Sequence, residues 1–415
     1  MSRIGGSRRP RRRLFAVLAA GSLVALTLFG GVASSAQSRA LVSITVDTLP
    51  IANALPMDLG IKQGFFAAQG IEISKKTLQS GNDIVLALAN NNGEVGYLGW
   101  VPMMIASTSG IPLSAVAASE VEGTSVADNW QNILVKGNSS IQTPADLAGK
   151  TIAVNALKGV GEVVIKAALK KRGVNPDSVH LLAMPFPTMR TALRNGQVDA
   201  IWVPEPFLTQ ALNLDGARIV MAPGPVLGKF WPIGGYGALD SWVAKNPQLA
   251  KSFHEAISES LAYAQAHPDE IRALLPAGTQ NVRLPIWSPV VDRSKLIQLA
   301  KYAKEFGVID SLPNMTRLVP STVTGGKVLQ GTVGNVFITL RLDGKAVTTL
   351  PHGKYTIVVT DNSNTTGFKL LGPGVTKQTS VKGKGRSTWT LTLKKGKYVY
   401  SSITHPKRKR TLKIT

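Results

Sequence analysis

The alternation of apolar and polar positions is clearest in residues 188–212, T-M-R-T-A-L-R-N-G-Q-V-D-A-I-W-V-P-E-P-F-L-T-Q-A-L. Residues 189–194 have the spacing of an amphipathic helix, and the glycine of Asn195-Gly196 can take the left-handed conformation that ends a helix. Residues 198–203 form an apolar run with a single charge, which is typical of a strand covered on both faces. The Pro-Glu-Pro sequence at 204–206 then ends the strand and begins another helix. The pattern predicts a strand that leads directly into a helix.

The same alternation of short strands and helices extends over residues 42–221. Strands at 42–46, 71–75, 94–98 and 113–118, separated by helices, form a first lobe, and the pattern begins again at residue 143. Two lobes of this type on one chain predict an α/β fold with two parallel sheets and a cleft between them.

The chain is expected to cross twice between the two lobes. Residues 37–317 would form the bilobal unit, with lobe 1 at about 40–131 and 240–317 and lobe 2 at about 137–235. The helices from residue 247 onward follow the second crossing, so they should pack against lobe 1.

Ligands in open α/β sheets lie beyond the carboxyl ends of the strands, which makes Trp100, Trp202 and Glu205 candidate ligand contacts. Two of these residues have a structural alternative. Trp202 would serve equally well as a core residue, and Glu205 would favour the first turn of its helix through the helix dipole.

Three predicted helix N-termini face the cleft, at residues 53–57, 81–83 and 158–162. Unpaired backbone N–H groups and the positive end of the helix dipole suit a carboxylate, sulfonate, nitrate or phosphate group, although every α/β protein has such termini. Residues 158–161, Lys-Gly-Val-Gly, lack both the Walker pattern and the full dinucleotide fingerprint. We interpret them as an anion-binding loop and not as a nucleotide site.

The period of the pattern changes to two near the end of the chain. Residues 318–334 are rich in Ser, Thr, Gly and Val and are predicted to form a linker. The segments 336–342, 355–360, 387–393 and 397–403 then alternate or are rich in β-branched residues. Residues 335–415 are therefore predicted to form a small all-β sandwich.

Charge separates these regions more sharply than the pattern does. The 415 residues carry a formal net charge of +23, of which residues 1–36 hold +6 and residues 331–415 hold +14, while residues 37–330 are nearly neutral at +3. The sequence has no cysteine, which excludes disulfides, thiolate nucleophiles, Cys-based zinc sites and a lipid-anchored cysteine. The two basic ends need explanations separate from that of the central body.

Residues 1–36 have the layout of a secretory signal peptide. Arginines at 8–13 precede the apolar run 14–29, and Ser34-Ser35-Ala36 offers small residues for cleavage. Arg12-Arg13 also resembles a twin-arginine signal. Residues 14–33 would be long enough to span a bilayer if they were retained. We expect an exported protein from which this segment is removed.

Several motifs together resemble one family of proteins. G-F-F-x-x-x-G-I-E, L-A-G-K-T-I-A-V-N, G-Q-V-D-A-I-W-V-P-E-P-F and A-H-P-D-E-I occur in this order within residues 42–315. They resemble the nitrate/sulfonate/taurine family of substrate-binding proteins of ABC importers. The resemblance implies a type II periplasmic-binding-protein fold whose lobes close on a small anionic ligand, an ABC permease as partner, an extracytoplasmic location, a monomer, and no cofactor or metal.

The same resemblance suggests which positions face the ligand. They are Leu55, Pro56, Gly81, Asn82, Trp100, Lys158, Gly159, Val160, Gly161, Trp202 and Glu205. An acid at position 205 would suit the cationic end of an amino-sulfonate and would be unfavourable beside plain nitrate. A thiamine-type pyrimidine precursor or an aromatic acid remains an alternative ligand.

An enzyme on the same fold is the alternative class of function, because this fold also occurs in enzymes of thiamine and menaquinone precursor synthesis. The five histidines are scattered and form no cluster with metal-ligand spacing; they are His180, His254, His267, His352 and His405. No catalytic residue is assigned.

The C-terminal segment resembles the cupredoxins, from G-K-Y-T-I-V-V-T-D-N-S-N onward and again in W-T-L-T-L-K-K-G-K-Y-V-Y-S-S-I-T-H. A blue-copper site needs two histidines, a thiolate and usually a thioether. By this resemblance Thr366 occupies the position of the first histidine and Ser402 that of the cysteine, and Lys409 or Arg410 lies near the methionine position. Only His405 remains, so the resemblance implies a cupredoxin scaffold without copper.

Basic residues of this segment could form a surface that attracts an anionic cell envelope. They are Lys377, Lys382, Lys384, Arg386, Lys394, Lys395, Lys397 and residues 407–410. A basic face that only keeps the protein soluble is the alternative. Export and the lack of interleaved aromatic residues argue against nucleic acid as a partner.

Overall fold

The computed structural model describes residues 40–279, 281–323, 327–342, 345–382 and 384–415. The predicted signal peptide at residues 1–36 lies outside the described residues. Within the described part of the chain, no helix is both long enough and apolar enough to cross a membrane.

The first part of the described chain alternates strands with helices. Its strands are β1 Val42–Thr48, β2 Ile71–Thr77, β3 Val95–Gly99, β4 Leu113–Ala118 and β5 Glu120–Val121. Its helices are α1 Leu55–Lys62, α2 Phe65–Ala68, α3 Gly81–Ala89 and α4 Trp100–Thr108. Ser80 caps α3, because its hydroxyl accepts a hydrogen bond of 3.2 Å from the Asp83 N–H.

A second alternating series follows. Its strands are β6 Gln131–Val135, β7 Thr151–Val154, β8 His180–Ala183, β9 Ala200–Pro204 and β10 Arg218–Met221. Its helices are α5 Val160–Lys171, α6 Phe186–Asn195, α7 Phe207–Leu214 and α8 Pro223–Leu227. Helix α6 ends at Asn195, and Gly196 follows with a left-handed φ of 74°. The predicted succession of helix, glycine stop, strand and helix is confirmed here.

The chain then returns to the first sheet and adds a helical region. These elements are β11 Gly234–Leu239, α9 Asp240–Lys245, α10 Pro247–Ala266, α11 Pro268–Arg272, β12 Ile286–Trp287, α12 Arg293–Glu305 and α13 Met315–Leu318. The Phe253 ring on α10 lies 5.9 Å from Phe66 on α2 and 5.5 Å from Tyr236 on β11. The long helix α10 therefore packs against elements of the first sheet, as predicted for lobe 1.

Both α/β sheets have five strands, in the orders β2-β1-β3-β11-β4 and β10-β6-β9-β7-β8. In the first sheet, β11 runs antiparallel to β3 and β4, while β1 is parallel to β2 and β3. In the second sheet, β6 runs antiparallel to β9 and β10, while β7 is parallel to β8 and β9. The prediction of wholly parallel sheets is wrong, because the strands that enter the second sheet (β6) and return to the first (β11) run against their neighbours.

The C-terminal region consists of strands alone. They are β13 Lys327–Val333, β14 Ile338–Leu342, β15 Lys345–Ala346, β16 Thr349–Leu350, β17 Gly353–Asp361, β18 Phe368–Gly372, β19 Val375–Gln378, β20 Gly385–Leu393, β21 Gly396–Ser402 and β22 Lys409–Ile414. They form two sheets, β15-β14-β13-β17-β20 and β16-β22-β21-β18-β19, with Leu329, Ile357, Phe368 and Tyr398 among the buried side chains of one core. We call this region the β domain.

Strand β13 falls within the range predicted as a linker, residues 318–334. It pairs in parallel with β17 from Lys327 opposite Tyr355 to Val333 opposite Asp361, and the side chains of Leu329 and Val333 are buried. The composition of this segment, rich in Gly, Thr and Val, resembles that of a linker, but its apolar positions at 329 and 333 lie on the same face of a strand.

The β domain contacts the α/β part through Arg386. The guanidinium carbon lies 5.4 Å from the centre of the Phe230 ring, and Nε and Nη1 are buried. Burial lowers the pKa of Arg386 to about 10. Nearby, Gln330 Nε2 donates a hydrogen bond of 3.2 Å to Asp292 Oδ2. Including Arg386 in an exposed basic surface was therefore wrong, because its guanidinium packs on an aromatic ring.

Candidate functional site

We call the part of the chain built on the sheet β2-β1-β3-β11-β4 the first half, and the part built on the sheet β10-β6-β9-β7-β8 the second half. The two halves enclose a cavity with about 50 Å³ of space for the centres of water-sized molecules. The first half lines it with Asn53, Tyr97, Glu120 and Gly234. The second half contributes other residues, which include Trp130, Asn155, Val160, Phe186 and Trp202. The carboxyl ends of β1, β3, β7 and β9 lead into these positions, so the cavity lies where ligands bind in open α/β sheets.

Three contacts join the two halves around the cavity. Asn82 Nδ2 on α3 donates a hydrogen bond of 3.1 Å to the Leu157 carbonyl of the second half. The Ala52 N–H donates to the Glu205 carbonyl at 3.0 Å. Gly99 lies so near Val160 that a Cβ atom at position 99 would be 2.3 Å from Val160 Cγ2. The halves are therefore closed on the cavity.

Buried polar atoms in the cavity wall lack hydrogen-bond partners among the described residues. They are both side-chain amide atoms of Asn53, Oε2 of Glu120 and Nε1 of Trp202, on side chains that are at most 3% exposed. A buried polar group without a partner destabilises the fold by about 1–3 kcal/mol, and native proteins pair nearly all such groups. These atoms are available to hydrogen-bond a molecule that enters the cavity.

Glu120 is the acidic group of this wall. Its Oε1 accepts a hydrogen bond of 2.8 Å from the Tyr97 hydroxyl. Burial raises the pKa of Glu120 to about 7, and burial together with the neighbouring carboxylate raises the pKa of Tyr97 well above its usual value. The Asn53 amide lies close enough to affect both pKa values, although it makes no hydrogen bond of standard geometry to either side chain.

A second buried glutamate lies behind the cavity. Glu122 accepts hydrogen bonds from Gln131 Nε2 and, at 3.2 Å, from Asn129 Nδ2. Burial raises the pKa of Glu122 to about 8. A Cβ atom at Gly224 would lie 1.5 Å from Glu122 Oε2, so glycine is required there for helix α8 to approach the carboxyl group. Glu122 has protein partners for both oxygens, in contrast to Glu120.

Four of the residues predicted to face a ligand line the cavity: Gly81, Gly159, Val160 and Trp202. Gly161 lies just behind them. A Cβ atom at Gly161 would be 2.7 Å from Cε3 and Cζ3 of Trp202, so this glycine lets the start of α5 pack directly on the indole ring. Trp202 thus combines the two roles that its sequence position left open, since it is buried and also forms part of the cavity wall.

Five other predicted residues lie outside the cavity lining. Leu55 packs against the core and Pro56 is buried at the start of α1, while Asn82 makes the contact to Leu157 described above. The buried Trp100 ring lies against Gly235, where an added Cβ would be 2.9 Å away. Lys158 is exposed, and its N–H donates to Glu162 Oε2 at 2.7 Å. A direct role of these five in binding stays a prediction.

Glu205 also lies outside the lining, fully buried at the start of α7. Its Oε2 accepts a hydrogen bond of 2.9 Å from the Thr209 N–H, and its Oε1 accepts from the Thr209 hydroxyl at 2.8 Å and from the Arg283 N–H at 3.0 Å. Burial raises its pKa, and these hydrogen bonds oppose the increase. The geometry is that of a helix cap, which matches the structural alternative for Glu205.

The sequence pattern did not single out Tyr97, Glu120 or Trp130, and it included Asn53 only as the first residue of the predicted helix N-terminus at 53–57. The aromatic residues at 97 and 130 look like ordinary core positions within or beside strands. Glu120 had a usable signal, because it is an acid within the otherwise apolar and small residues 113–121. An ionisable residue in a run that forms buried strands is a candidate functional group.

Comparison with known proteins agrees with the fold. A family model described as "NMT1/THI5 like" matches residues 52–271, which is just over half of the chain. The chain belongs to the NMT1/THI5-like family. The matched range includes Asn53, Tyr97, Glu120 and Trp202 of the cavity, and it excludes the β domain.

Proteins similar to this chain include several binding proteins. The chain is 29% identical over 252 residues to the taurine-binding periplasmic protein of Escherichia coli, covering 59% of this chain and 73% of that protein. It is 25% identical over 227 residues to the nitrate/nitrite binding protein NrtA of a Nostoc species, covering 51% of each. The solved structure of the periplasmic aliphatic sulphonate binding protein SsuA from Escherichia coli has the same fold, with 20% identity, a TM-score of 0.56 and coverage of 68% of this chain and 98% of that one.

The described residues contain no group of three or more His, Asp or Glu side chains that could hold a metal ion. None of the five histidines lines the cavity. His267 Nδ1 lies 2.9 Å from the Tyr263 carbonyl, and His405 Nδ1 lies 3.0 Å from the Thr404 hydroxyl. These two histidines have local structural contacts.

Proposed function

We propose that this protein is an extracytoplasmic solute-binding protein that delivers a small anion of the sulfonate, taurine or nitrate type to an ABC importer. Its relatives are named for taurine and for nitrate and nitrite, and a protein of the same fold is named for aliphatic sulphonates. The observation that carries the proposal is the closed cavity with unpartnered polar atoms on Asn53, Glu120 and Trp202. A small polar ligand would supply the missing hydrogen bonds.

The acidic end of the ligand fits the start of helix α5. This helix has twelve residues, and its N-cap, Gly159, has no side chain to occupy the first free N–H groups. Gly159 and Val160 line the cavity together with Trp202, whose Nε1 is a further donor without a partner. Free N–H groups and the positive end of the helix dipole favour an anion at this position.

A binding role suits this cavity better than an enzymatic one. Its wall is formed largely by apolar and aromatic side chains, and the acid at Glu120 has no histidine, lysine or second acid beside it in the lining. Nucleophilic catalysis needs a nucleophile beside a general base, and the described lining has no serine, threonine, cysteine or lysine for that role. Closure of two halves around a ligand is instead the motion of a transport receptor.

A ligand screen by thermal unfolding tests the function. A ligand at one hundred times its Kd that binds only the folded state stabilises it by about 2.7 kcal/mol, which is a readily measured shift in Tm. We expect a shift with sulfonates, amino-sulfonates or nitrate and none with pyrimidines or aromatic acids. Ala156→Trp is the control, because Ala156 is a half-buried lining residue and a tryptophan there would fill the cavity. A wild-type protein unaffected by all of these compounds would contradict the transport function.

For the domain organisation, we propose a bilobal binding unit at residues 37–317 followed by a cupredoxin-like β domain that lacks copper. Thr366 and Ser402, which correspond to two of the copper ligands in the resemblance, are buried with their hydroxyl oxygens 2.6 Å apart. This proximity supports a cupredoxin-like arrangement in which a hydroxyl pair replaces metal ligands. The variant Thr366→His/Ser402→Cys should then gain affinity for Cu²⁺ over the wild type, and no gain would contradict the resemblance.

We also propose that the β domain holds the protein on an anionic envelope surface. Its lysines at 377, 382, 384, 394, 395, 397, 407 and 409 are exposed, as is Arg410. Such contacts are screened over about 8 Å at physiological salt, so binding to cell envelopes should weaken steeply as salt rises. Sedimentation of the purified protein with envelopes at two salt concentrations, beside a variant with residues 407–410 neutralised, measures this. Binding insensitive to both changes would contradict an electrostatic tether.

A further inference from the structure

The charges that line the cavity do not match those of a plain inorganic anion. Among the described lining residues, Glu120 carries the one carboxyl group and none has a lysine, arginine or histidine side chain. Lys158, the nearest basic residue in the sequence of the α5 loop, is exposed and outside the lining. A nitrate or sulfate ion would therefore be enclosed with an acid and without a cation, which is unfavourable when both groups are desolvated.

The first half of the cavity instead presents two hydrogen-bond acceptors, on Glu120 and Asn53, together with the Asn53 amide donor Nδ2. Glu120 Oε2 and Asn53 Oδ1 are buried and make no hydrogen bond of standard geometry in the described structure, although the Ser119 and Asn53 side chains lie close enough to Glu120 to oppose the increase in its pKa. Glu120 Oε1 accepts a hydrogen bond from the Tyr97 hydroxyl. Gly234 lets the carboxyl group lie against β11, since a Cβ atom there would be 2.8 Å from Glu120 Oε1. The carboxyl group is thus fixed by one oxygen, and the other is left for a donor from outside the protein.

The second half presents hydrogen-bond donors. Trp202 Nε1 is buried without a partner, and the start of α5 at Val160 supplies free N–H groups. The cavity therefore combines acceptors from one half with donors from the other. Closure on a ligand that has both a cationic and an anionic end would satisfy both sets at once.

We propose that Glu120 and Asn53 form an amine subsite, so that the preferred ligand is a small zwitterion with a protonated amine and an acidic group. The amine subsite presupposes the solute-binding function proposed above and narrows its ligand class. In this proposal Glu120, and not Glu205, binds the amine. The carboxyl oxygens of Glu205 already accept three hydrogen bonds, from Thr209 and Arg283.

The test compares two probes that differ only in the amine, 2-aminoethanesulfonate and ethanesulfonate. Isothermal titration of the wild-type protein at pH 8 should give at least tenfold tighter binding of the amino compound. Glu120→Gln, which keeps the shape and the acceptor for Tyr97, should remove most of this preference and leave ethanesulfonate unchanged or tighter. The unfolding midpoint of each variant is measured first, to establish that it is folded.

Glu205→Gln is the matched control, because it makes the same substitution at another buried glutamate close to the cleft. It should leave the ratio of the two affinities unchanged. Equal affinity of the wild type for both probes, or loss of both probes in equal proportion in Glu120→Gln, would overturn the amine subsite. Binding of nitrate alone would also overturn it while the transport function stands, and binding of none of the three compounds would remove the transport function itself.

The wild-type protein offers a second test that needs no variant. Glu120 faces Tyr97 on β3, Tyr236 on β11 and Asn53, while the paired strand β12 contributes the non-titrating Trp287. Burial raises the pKa of Glu120 to about 7 and those of both tyrosines well above their usual value, so between pH 6 and 8 Glu120 is the member of this group that changes charge. Glu122 lies outside the cavity lining and bonds to Gln131 and Asn129; burial raises its pKa to about 8, so it titrates at the upper end of this interval. The preference for 2-aminoethanesulfonate should rise about five- to tenfold over this interval, in proportion to the ionised fraction. A ratio that does not change with pH would contradict the subsite.

Discussion

The cavity and the core of the β domain both bury polar side chains, but they differ in what those side chains bond to. In the β domain, Asp361 accepts hydrogen bonds from the Thr379 hydroxyl at 2.8 Å and the Ser363 N–H at 2.9 Å. Thr366 and Ser402 bond to each other at 2.6 Å. In the cavity, atoms of Asn53, Glu120 and Trp202 have no partner among the described residues. A satisfied cluster stabilises a fold, whereas an unsatisfied one marks where a ligand binds.

The largest expected effect is a loss of stability of the ligand-free protein as pH rises. Burial raises the pKa of Glu120 to about 7 and that of Glu122 to about 8, so the folded state holds these protons more tightly than the unfolded state does. The free energy of unfolding is then greatest below about pH 4.5. It falls as the pH rises from there to about 7 for Glu120 and to about 8 for Glu122, by up to about 1.4 kcal/mol per pH unit for each group. Denaturant unfolding at pH 5, 6.5 and 8 measures this decrease.

Substitutions of single glutamates show which residues cause the pH dependence of stability. Glu122→Gln should flatten the fall above pH 7, while Glu255→Gln, at an exposed ion pair with Lys251, should leave it unchanged. Burial of Asp128 is outweighed by hydrogen bonds from Thr124 and Ser125, which lower its pKa, and hydrogen bonds from the Thr143 and Gln142 N–H groups lower the pKa of Asp146. Both carboxyl groups therefore stay ionised in the folded and unfolded states between pH 5 and 8. Stability that is level or rising between pH 5 and 8 would contradict buried, protonated glutamates.

A smaller loss of stability is expected when the satisfied cluster of the β domain is broken. Asp361→Ala removes the acceptor for Thr379 and Ser363 and should destabilise the protein by about 3 kcal/mol, the range for buried hydrogen bonds to a charged group. Denaturant unfolding measures it, with Asp310→Ala at an exposed position as the control. A loss below about 0.5 kcal/mol would show that the cluster is not needed for stability.

Removal of one hydroxyl from the Thr366–Ser402 pair should have a more modest effect. Thr366→Val leaves the Ser402 hydroxyl and the Thr404 N–H without their contacts to Thr366 and should lower stability by about 1–2 kcal/mol. Thr376→Val is a control, since Thr376 is an exposed threonine on β19. An unchanged unfolding midpoint for Thr366→Val would mean that the pair contributes no net stability.

The smallest effect on stability is expected in the cavity. Asn53→Leu removes two amide atoms that have no partner, so the ligand-free protein should change by less than about 0.5 kcal/mol or become more stable. Binding of 2-aminoethanesulfonate should fall at least tenfold in the same variant. If Asn53→Leu destabilised the ligand-free protein as much as Thr366→Val does, the contrast between the two clusters would be lost.

Much of the fold could be predicted because its signals are local. The apolar spacing of α6 and the glycine at 196 define a helix and its end within eleven residues, and the period of two in β14, β17, β20 and β21 marks the β domain. The small and polar residues of β13 are typical of a linker, and the two buried positions among them are too few to predict a strand. The antiparallel direction of β6 and β11 depends on how the chain crosses between the two sheets. A local pattern of apolar and polar residues does not indicate this path.

The candidate site was harder to predict because it is assembled from distant residues. Gly159 and Val160 follow strand β7 and Trp202 lies near the end of β9, all in recognisable motifs, so their sequence neighbours indicated them. Asn53 and Glu120 are distant in the sequence. They lie close together because β5 pairs with β12 and because the helical turn Ala52–Ala54 precedes α1 at that place in the fold. The carboxyl group of Glu205 looked equally suitable in sequence, and only its hydrogen bonds to Thr209 and Arg283 separate it from Glu120.

The most direct test of the unsatisfied cavity is a crystal structure of the protein grown with 2-aminoethanesulfonate. We expect the ligand between the two halves, with its amine within hydrogen-bond distance of Glu120 Oε2 and Asn53 Oδ1 and its sulfonate at Trp202 Nε1 and the start of α5. A ligand bound in the opposite orientation, one bound at Glu205, or a cavity filled by water alone at saturating ligand would contradict the account.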